Sequence, residues 1–169
     1  MHPPIIQEGN FVLKPYQVTD EVRFLEICLD DSSIQFMGGN TGIEEKERAL
    51  FYKIFDIYAS EEKRWFWIWG IFIDDVLVGH FELKESENTE KDELEIVYMI
   101  HPEWRRKGIA SQALNAICSR KDEWKKEIIA TVHPNNSNSI TLLRKRGIYR
   151  ETKRIDEETG EPYWKYWLA

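Results

Sequence analysis

Three basic residues stand directly before a glycine in the middle of the chain. The run is Arg105-Arg106-Lys107-Gly108-Ile109-Ala110-Ser111, and an apolar, strand-like segment over 94–100 precedes it. Backbone N–H groups at the start of a helix lack intrahelical partners and carry partial positive charge, so they bind phosphate well. Gly108 lets an anion approach closely, and Ala110 and Ser111 leave the first turn uncrowded. The segment therefore predicts a phosphate-binding turn between a strand and a helix.

Two common phosphate motifs do not describe this turn. Lys107 is not followed by Ser or Thr and the glycine spacing is wrong, so the segment is not a P-loop. It contains one glycine, whereas the dinucleotide fingerprint needs three.

A second polar segment begins a helix further along the chain. Residues 133–148 read HPNNSNSITLLRKRGI, with Asn136 at the helix N-cap position and Gly147 at its C-terminal end. The Asn136 side chain has two compatible roles, as a helix cap and as a ligand contact, and the sequence leaves both open.

Together these segments resemble the GCN5-related N-acetyltransferase (GNAT) superfamily. Its acetyl-CoA motif, Arg/Gln-x-x-Gly-x-Gly/Ala, corresponds to residues 105–110. Its downstream pattern, Asn-x-x-Ser/Ala-x-x-Leu-x-x-Lys-x-Gly-Phe, corresponds to residues 136–148 with Ser139 in register. Residues 11–15 and 69–83 are similar to the opening strands of the branch that includes ribosomal-protein N-terminal acetyltransferases.

The resemblance implies an acetyl-CoA-dependent N-acetyltransferase. Such an enzyme transfers an acetyl group to a primary amine by direct attack in a ternary complex. The acceptors that it implies are a protein N-terminus, a polyamine or an aminoglycoside, and relatives often form homodimers. An alternative of another class is a non-catalytic acyl-CoA-binding module or sensor on the same fold.

The resemblance also assigns roles to individual residues. Glu95 is the candidate general base, directly or through water, since strand alternation places it on one face with Val97 and Met99. A structural salt bridge is the alternative role for Glu95. The backbone N–H of Met99 is expected to polarise the thioester oxygen, and Ile100 to pair with pantetheine. The full set of expected coenzyme-binding residues is Met99, Ile100, Arg105, Arg106, Lys107, Gly108, Ile109, Ala110, Ser111, Asn136 and Ser139.

The chain departs from the family pattern at two positions. Many relatives carry a tyrosine seven residues after the motif asparagine, as the acid that protonates the leaving thiolate, and here that position is Leu143. Tyr98 is expected in the core, and Tyr149 is a weak alternative acid. His101 is expected to be structural rather than a proton relay. Ile148 replaces the usual aromatic residue, which we interpret as a packing change.

Composition excludes several classes of protein. The net charge of the 169 residues is −7, which disfavours a general nucleic-acid binder. No apolar run reaches membrane-spanning length and the N-terminus lacks signal-peptide features. We interpret Cys28 and Cys118 as reduced thiols of a cytoplasmic protein, and no His or Cys spacing predicts a metal site.

Charge is unevenly distributed along the chain. Residues 1–100 carry 9 Lys and Arg against 21 Asp and Glu, whereas residues 101–169 carry 14 against 9. This asymmetry predicts a cationic ligand near the first part and an anionic ligand near the second, unless the charges lie on solvated faces. Asp30, Asp31 and the Gly38-Gly39 loop lie where relatives shape the acceptor cleft.

Hydrophobic periodicity places these residues on a single mixed α/β domain over 1–169. Its largely antiparallel central sheet is flanked by helices, as in the GNAT acyl-CoA N-acyltransferase fold. Trp65, Trp67 and Trp69 share one strand face, which indicates either core packing or an aromatic wall that stacks on a cation or a peptide. Strands are predicted over 11–14, 65–73, 76–83, 94–100, 128–132, 148–155 and 163–168, and helices over 19–29, 44–58, 108–120 and 136–146.

Overall fold

The computed structural model describes residues 2–37 and 41–169, whose eight strands form one sheet in the order β1-β2-β3-β4-β5-β6-β8-β7. All pairs of neighbouring strands are antiparallel except β5 and β6, which are parallel. The strands are β1 Ile6–Glu8, β2 Phe11–Lys14, β3 Phe66–Ile73, β4 Val76–Lys84, β5 Glu93–Ile100, β6 Glu127–Val132, β7 Ile148–Ile155 and β8 Pro162–Leu168.

Helices cover both faces of this sheet. They are α1 Glu21–Cys28, α2 Asp31–Ile34, α3 Glu44–Ala59, α4 Ile109–Cys118, α5 Lys121–Trp124 and α6 Ser137–Arg146. The apolar sides of α4, α5 and α6 pack on one face, called here the α4 face. The apolar sides of α1 and α3 pack on the opposite face, called here the α1 face. The predicted mixed, largely antiparallel sheet flanked by helices is therefore confirmed.

Three short elements are absent from the sequence prediction. Strand β1 has three residues, and helices α2 and α5 have four each, too few to show a period. The helix predicted over 19–29 is divided into a 3-10 turn, Val18–Asp20, and α1. The predicted loop over 37–42 lies partly outside the described residues, since Gly38, Gly39 and Asn40 are not among them.

The tryptophan-rich strand β3 packs on both sides. Trp69 is wholly buried on the α4 face, where Trp67 packs edge-on against Trp124 with ring centroids 6.2 Å apart. Ile68 is buried on the α1 face. Core packing is therefore the role that the structure gives to this aromatic strand.

A buried ion pair ties β5 to β8 across β6. Glu93 Oε2 lies 2.6 Å from Lys165 Nζ, and its Oε1 accepts a 2.6 Å hydrogen bond from the Trp167 indole N–H. Burial alone would raise the pKa of Glu93, but the hydrogen bond from Lys165 and its charge lower it. The carboxylate is thus held ionised inside the fold.

Three further findings concern membrane-spanning helices, metal sites and disulfides. In residues 2–37 and 41–169, no helix is long and apolar enough to cross a membrane. Within those same ranges, no group of three or more His, Cys, Asp and Glu side chains is placed to hold a metal ion. Cys28 and Cys118, both described, are buried thiols that form no disulfide.

Candidate active site

Strands β5 and β6 part from one another halfway along β5. Their parallel pairing covers only Glu93–Glu95 against Glu127–Ile129. Beyond that point β5 continues to pair with β4 up to Ile100, while β6 continues to pair with β8 up to Val132. A V-shaped opening therefore lies between residues 96–100 of β5 and residues 130–132 of β6.

The hydrogen-bond ladder fixes which backbone groups face this opening. The His101 N–H donates to the Val78 carbonyl of the β4 segment at 2.8 Å, so residues 97, 99 and 101 present their backbone groups to β4. Tyr98 and Ile100, the alternate residues, present theirs to the opening. The predicted role of the Met99 N–H is therefore wrong, because strand alternation points this N–H toward β4 and away from the opening. The Ile100 backbone has the predicted direction, toward the opening.

The turn that the sequence predicts to bind phosphate is built from left-handed backbone at two positions. Arg106 has φ of 60° and Gly108 has φ of 78°, and Gly108 is the N-cap of α4. No side chain of residues 2–37 or 41–169 caps this helix, so the N–H groups of Ile109, Ala110 and Ser111 in its first turn receive no cap from the N-cap residue. A Cβ built on Gly108 would meet no atom of the described part of the chain within 4 Å. The turn is therefore an open cradle of backbone donors, which suits a phosphate.

The three basic residues of the turn do not act alike. Arg106 and Lys107 are exposed, and the Lys107 ammonium lies 4.8 Å from the centre of the Trp104 ring. Arg105 turns away from them and hydrogen-bonds Ile100 and Asp30, which lies 75 residues earlier in the chain. We correct the expectation for Arg105 accordingly, because its guanidinium is engaged by protein groups and the exposed cations at the rim are Arg106 and Lys107.

Asn136 caps helix α6 as the sequence predicts. Its Oδ1 accepts a 3.2 Å hydrogen bond from the Ser139 N–H. The Ser139 hydroxyl in turn accepts a 3.1 Å hydrogen bond from the Tyr98 hydroxyl of β5. This link joins α6 to the parted strand β5, and no spacing in the sequence indicates it.

The usual acid position, which is Leu143, and the tyrosines Tyr98 and Tyr149 lie within the core or away from the opening. Leu143 is wholly buried in the main core. Burial raises the pKa of Tyr98, in agreement with its predicted core position. Tyr149 lies on β7, and its hydroxyl donates to Glu127 at the start of β6, at the end opposite the opening. Burial and that hydrogen bond raise the pKa of Tyr149 to about 12, so it does not suit the acid role.

Glu95 lies where β5 and β6 part, on the α1 face, and it is buried. Its Oε2 accepts a 2.5 Å hydrogen bond from the Ser86 hydroxyl, and Asn88 Nδ2 lies 3.3 Å from both carboxylate oxygens. The Thr131 hydroxyl of β6 donates to Oε1. These neutral donors hold the carboxylate in one orientation, and none of its partners within residues 2–37 and 41–169 is cationic. The alternative of a salt bridge is therefore not what the geometry shows.

A partly buried carboxylate on the α1 face, that of Glu82, was not singled out by the sequence. Glu82 pairs with Val97 on β5, and its Oε1 lies 3.0 Å from His80 Nε2. Its Oε2 lies 2.7 Å from Lys84 Nζ. His80 Nδ1 lies 2.9 Å from the Tyr16 hydroxyl, so the polar row extends from β4 to Tyr16, two residues after β2. Burial would raise the pKa of Glu82, but His80 and Lys84 outweigh it and lower the value to about 2.

His101 has a structural role, as its place at the strand end predicts. Its Nε2 lies 3.1 Å from Glu26 Oε2 on α1, and its Nδ1 accepts a hydrogen bond from the Glu103 N–H. The imidazole thereby fixes the end of β5 to α1 and to the 3-10 turn Pro102–Trp104.

Comparison with known proteins decides the family. The model of the acetyltransferase (GNAT) domain matches residues 10–148, which is most of the chain. The chain belongs to this family. GNAT acetyltransferases use acetyl-CoA, so the cradle at Gly108 fits the phosphates of that cosubstrate, and the enzyme class is that of N-acetyltransferases. No curated protein matches the sequence.

Solved GNAT structures share the fold over nearly the whole chain. An acetyltransferase of the GNAT family from Bacillus anthracis is 20% identical, with a TM-score of 0.77 and coverage of 97% of this chain and 96% of that one. The Salmonella typhimurium acetyl transferase that modifies the N-terminal serine of ribosomal protein L7/L12 is 15% identical, with a TM-score of 0.76 and coverage of 98% and 99%. Mycobacterium smegmatis RimJ in complex with CoA-disulfide is 18% identical, with a TM-score of 0.73 and coverage of 99% and 90%.

Proposed function

We propose that this GNAT protein transfers the acetyl group of acetyl-CoA to a primary amine, and that the amine is a protein N-terminus or a small amine. The observation that carries the proposal is the opening between β5 and β6, with a phosphate cradle at one rim and a buried carboxylate where the strands part. A protein N-terminus ranks first, because the Salmonella protein of the same fold modifies one.

The cradle supports the coenzyme half of this proposal. The N–H groups of Ile109, Ala110 and Ser111 would bind the phosphates, with Arg106 and Lys107 supplying charge at the rim. The Ile100 backbone would continue strand-like pairing with the pantetheine arm, and Asn136 and Ser139 would border it from α6. These groups orient the thioester within the opening, which is where the strands offer free ladder positions.

Glu95 supports the chemical half. In the proposed step the amine nitrogen forms a bond to the thioester carbon, and the C–S bond breaks with its electron pair on sulfur. The proton that the amine loses passes through water to the Glu95 carboxylate, and the thiolate takes a proton from solvent. Since Glu95 sits on the face opposite the phosphate cradle, the amine would arrive from the α1 face, on the side of the acidic half of the chain.

A thiol-release assay tests the proposal. Acetyl-CoA consumption is measured against short peptides with free N-termini, spermidine and an aminoglycoside. Turnover on one class of amine identifies the acceptor. Absence of turnover on every class, with acetyl-CoA still raising the melting temperature, favours the second candidate, a non-catalytic acyl-CoA-binding module. Leu143 is the observation that favours this alternative, because the usual acid position is filled by a core side chain.

Gly108→Ala tests the cradle, and Gly160→Ala is its matched control. Both glycines have a left-handed φ, 78° and 74°, and among the residues that the structure describes nothing lies within 4 Å of a Cβ built on either. Each change should cost about 1 kcal/mol of stability. Only Gly108→Ala places a methyl group in the cradle, so only it should weaken acetyl-CoA binding, by about tenfold or more by calorimetry. Equal affinities in the two variants would exclude Gly108 from the site.

We also propose a cytoplasmic homodimer. The buried thiols of Cys28 and Cys118 fit a reducing compartment. Strand β7 is a sheet edge with mostly exposed side chains. Sedimentation velocity should give twice the chain mass of 20.2 kDa, and a species of one chain mass would refute the dimer.

A further inference from the structure

Arg105 occupies the first position of the phosphate-binding turn, yet its guanidinium points toward a segment from the other side of the opening. Its Nη2 donates to Asp30 Oδ2 at 2.7 Å and to Ser33 Oγ at 2.8 Å. Its Nη1 donates to Ser32. Its Nε donates to the Ile100 carbonyl at 3.1 Å. One side chain therefore contacts the parted end of β5, the turn and the residues around α2.

The partner of Arg105 is residues 30–37, called here the strap. Asp30 caps α2 within it by accepting from the Ser33 N–H at 3.0 Å, and the Ser33 side chain is buried. Burial would raise the pKa of Asp30, but hydrogen bonds from Ser32, Arg105 and the Ser33 N–H lower it to about 2. The ion pair between Arg105 and Asp30 is consequently intact at any pH at which the enzyme would work.

The other end of the strap reaches β6. The Phe36 ring stacks on the His133 imidazole directly after β6, with centroids 5.5 Å apart and an interplanar angle of 29°. The strap thus runs from the end of β5 to the end of β6. Residues on both sides of the opening are in contact with it, and α1, which precedes it, covers the α1 face.

We propose that Arg105 is a positioning residue that couples acetyl-CoA binding in the cradle to the ordering of the strap, which forms one wall of the acceptor site. The inference rests on the proposed function for the location of both substrates. A bound phosphate fixes the backbone of residues 105–108 and, with it, the position of Arg105. The Arg105 guanidinium then holds Asp30, Ser32 and Ser33 in place through its hydrogen bonds. Arginine suits this task because its planar donors engage several acceptors at once.

Hydrogen–deuterium exchange with acetyl-CoA tests the coupling without any knowledge of the acceptor. In the wild type, acetyl-CoA should slow exchange in residues 105–111 and also in the strap. In Arg105→Gln, acetyl-CoA should still protect 105–111, with its affinity changed less than about threefold, while protection of the strap is lost. A merely structural Arg105 would instead raise strap exchange equally with and without acetyl-CoA.

Two variants sharpen the test. Arg106→Gln is the matched control, since this neighbour is exposed at the rim, and it should weaken acetyl-CoA binding while protection of the strap at saturation is retained. Arg105→Lys keeps the charge but not the fork, so it should behave as Arg105→Gln does. Once an acceptor is known, Arg105→Gln should raise its KM about tenfold with little change in the KM of acetyl-CoA.

The possible failures are distinguishable. If acetyl-CoA protects neither region of the wild type, the proposed coenzyme site is wrong. If it protects 105–111 but never the strap, the site stands and the coupling is refuted. Strap protection that persists in Arg105→Gln also refutes the coupling.

Discussion

Glu95 is buried and Glu82 is partly buried on the same face of the same sheet, yet the surroundings of the two carboxylates differ in kind. The donors to Glu95 are neutral, namely Ser86, Asn88 and Thr131. Glu82 lies between His80 and Lys84, and its pKa falls to about 2. A group that is held ionised this strongly is a poor proton acceptor near neutral pH. The burial of a carboxylate near a cleft is therefore not enough to identify a general base, because the charge of its neighbours also determines how readily it accepts a proton.

The largest effect that we expect is on kcat, and it distinguishes Glu95 from Glu82. Glu95→Gln should reduce kcat by about 10²–10⁴, the usual contribution of a general base, with the fold retained. Glu82→Gln, the matched control, should keep kcat within a factor of about three. Initial rates by thiol release, with circular dichroism as the folding check, make the measurement. Near-wild-type turnover of Glu95→Gln would transfer the base role elsewhere, and loss of turnover only in Glu82→Gln would reverse the comparison.

The next largest effect that we expect is on the free energy of unfolding, and it concerns Glu82. Because the pKa of Glu82 is lowered from 4.5 to about 2, its ionised form stabilises the fold fully above pH 4.5, and this contribution is lost as the pH falls toward 2. Glu82→Gln should therefore be less stable than wild type at pH 7, by about 2–3 kcal/mol. It should also lose less stability than wild type between pH 5 and pH 3. Urea denaturation at each pH measures both, and parallel pH curves would contradict the assignment.

The smallest effect concerns the orientation of Glu95. Thr131→Val removes the donor that reaches Glu95 from β6, so kcat should fall about tenfold, less than in Glu95→Gln. Thr152→Val is the control, since Thr152 lies on the edge strand β7. A decrease in kcat of the same size in both variants would show a general packing effect and not a positioning one.

The sequence predicts the central strands well because their apolar alternation is strong. Strand β2 over residues 11–14 agrees in full, and the strands β3, β4 and β5 agree to within one residue at each end. The cap of α6 by Asn136 and the end of that helix at Gly147 are also confirmed, since both depend on local backbone chemistry. The turn before α4 depends on the same kind of local information, and its binding of phosphate stays a prediction.

The parts that sequence reasoning missed depend on distant contacts. The partner of Arg105 is Asp30, and the partners of Glu95 come from a loop and from β6, none of which a local pattern encodes. The register of Met99 was wrong because its backbone direction follows from the pairing of β5 with β4, not from the motif. Side-chain alternation was correct for the same strand, since it depends only on its own geometry.

The short pairing between β5 and β6 should determine where this enzyme begins to unfold. Among the described strands, β1–β5 are joined to β6, β8 and β7 by the three residue pairs between β5 and β6. This junction is called here the seam. Side chains strengthen this seam through Glu93 and Lys165, Glu95 and Thr131, and Tyr98 and Ser139. Two cooperative folding units that separate along the seam would each keep their own ladder intact. Inactivation on mild heating should then precede the loss of secondary structure, because the first bonds to open would be those that border the proposed acyl-transfer cleft between β5 and β6.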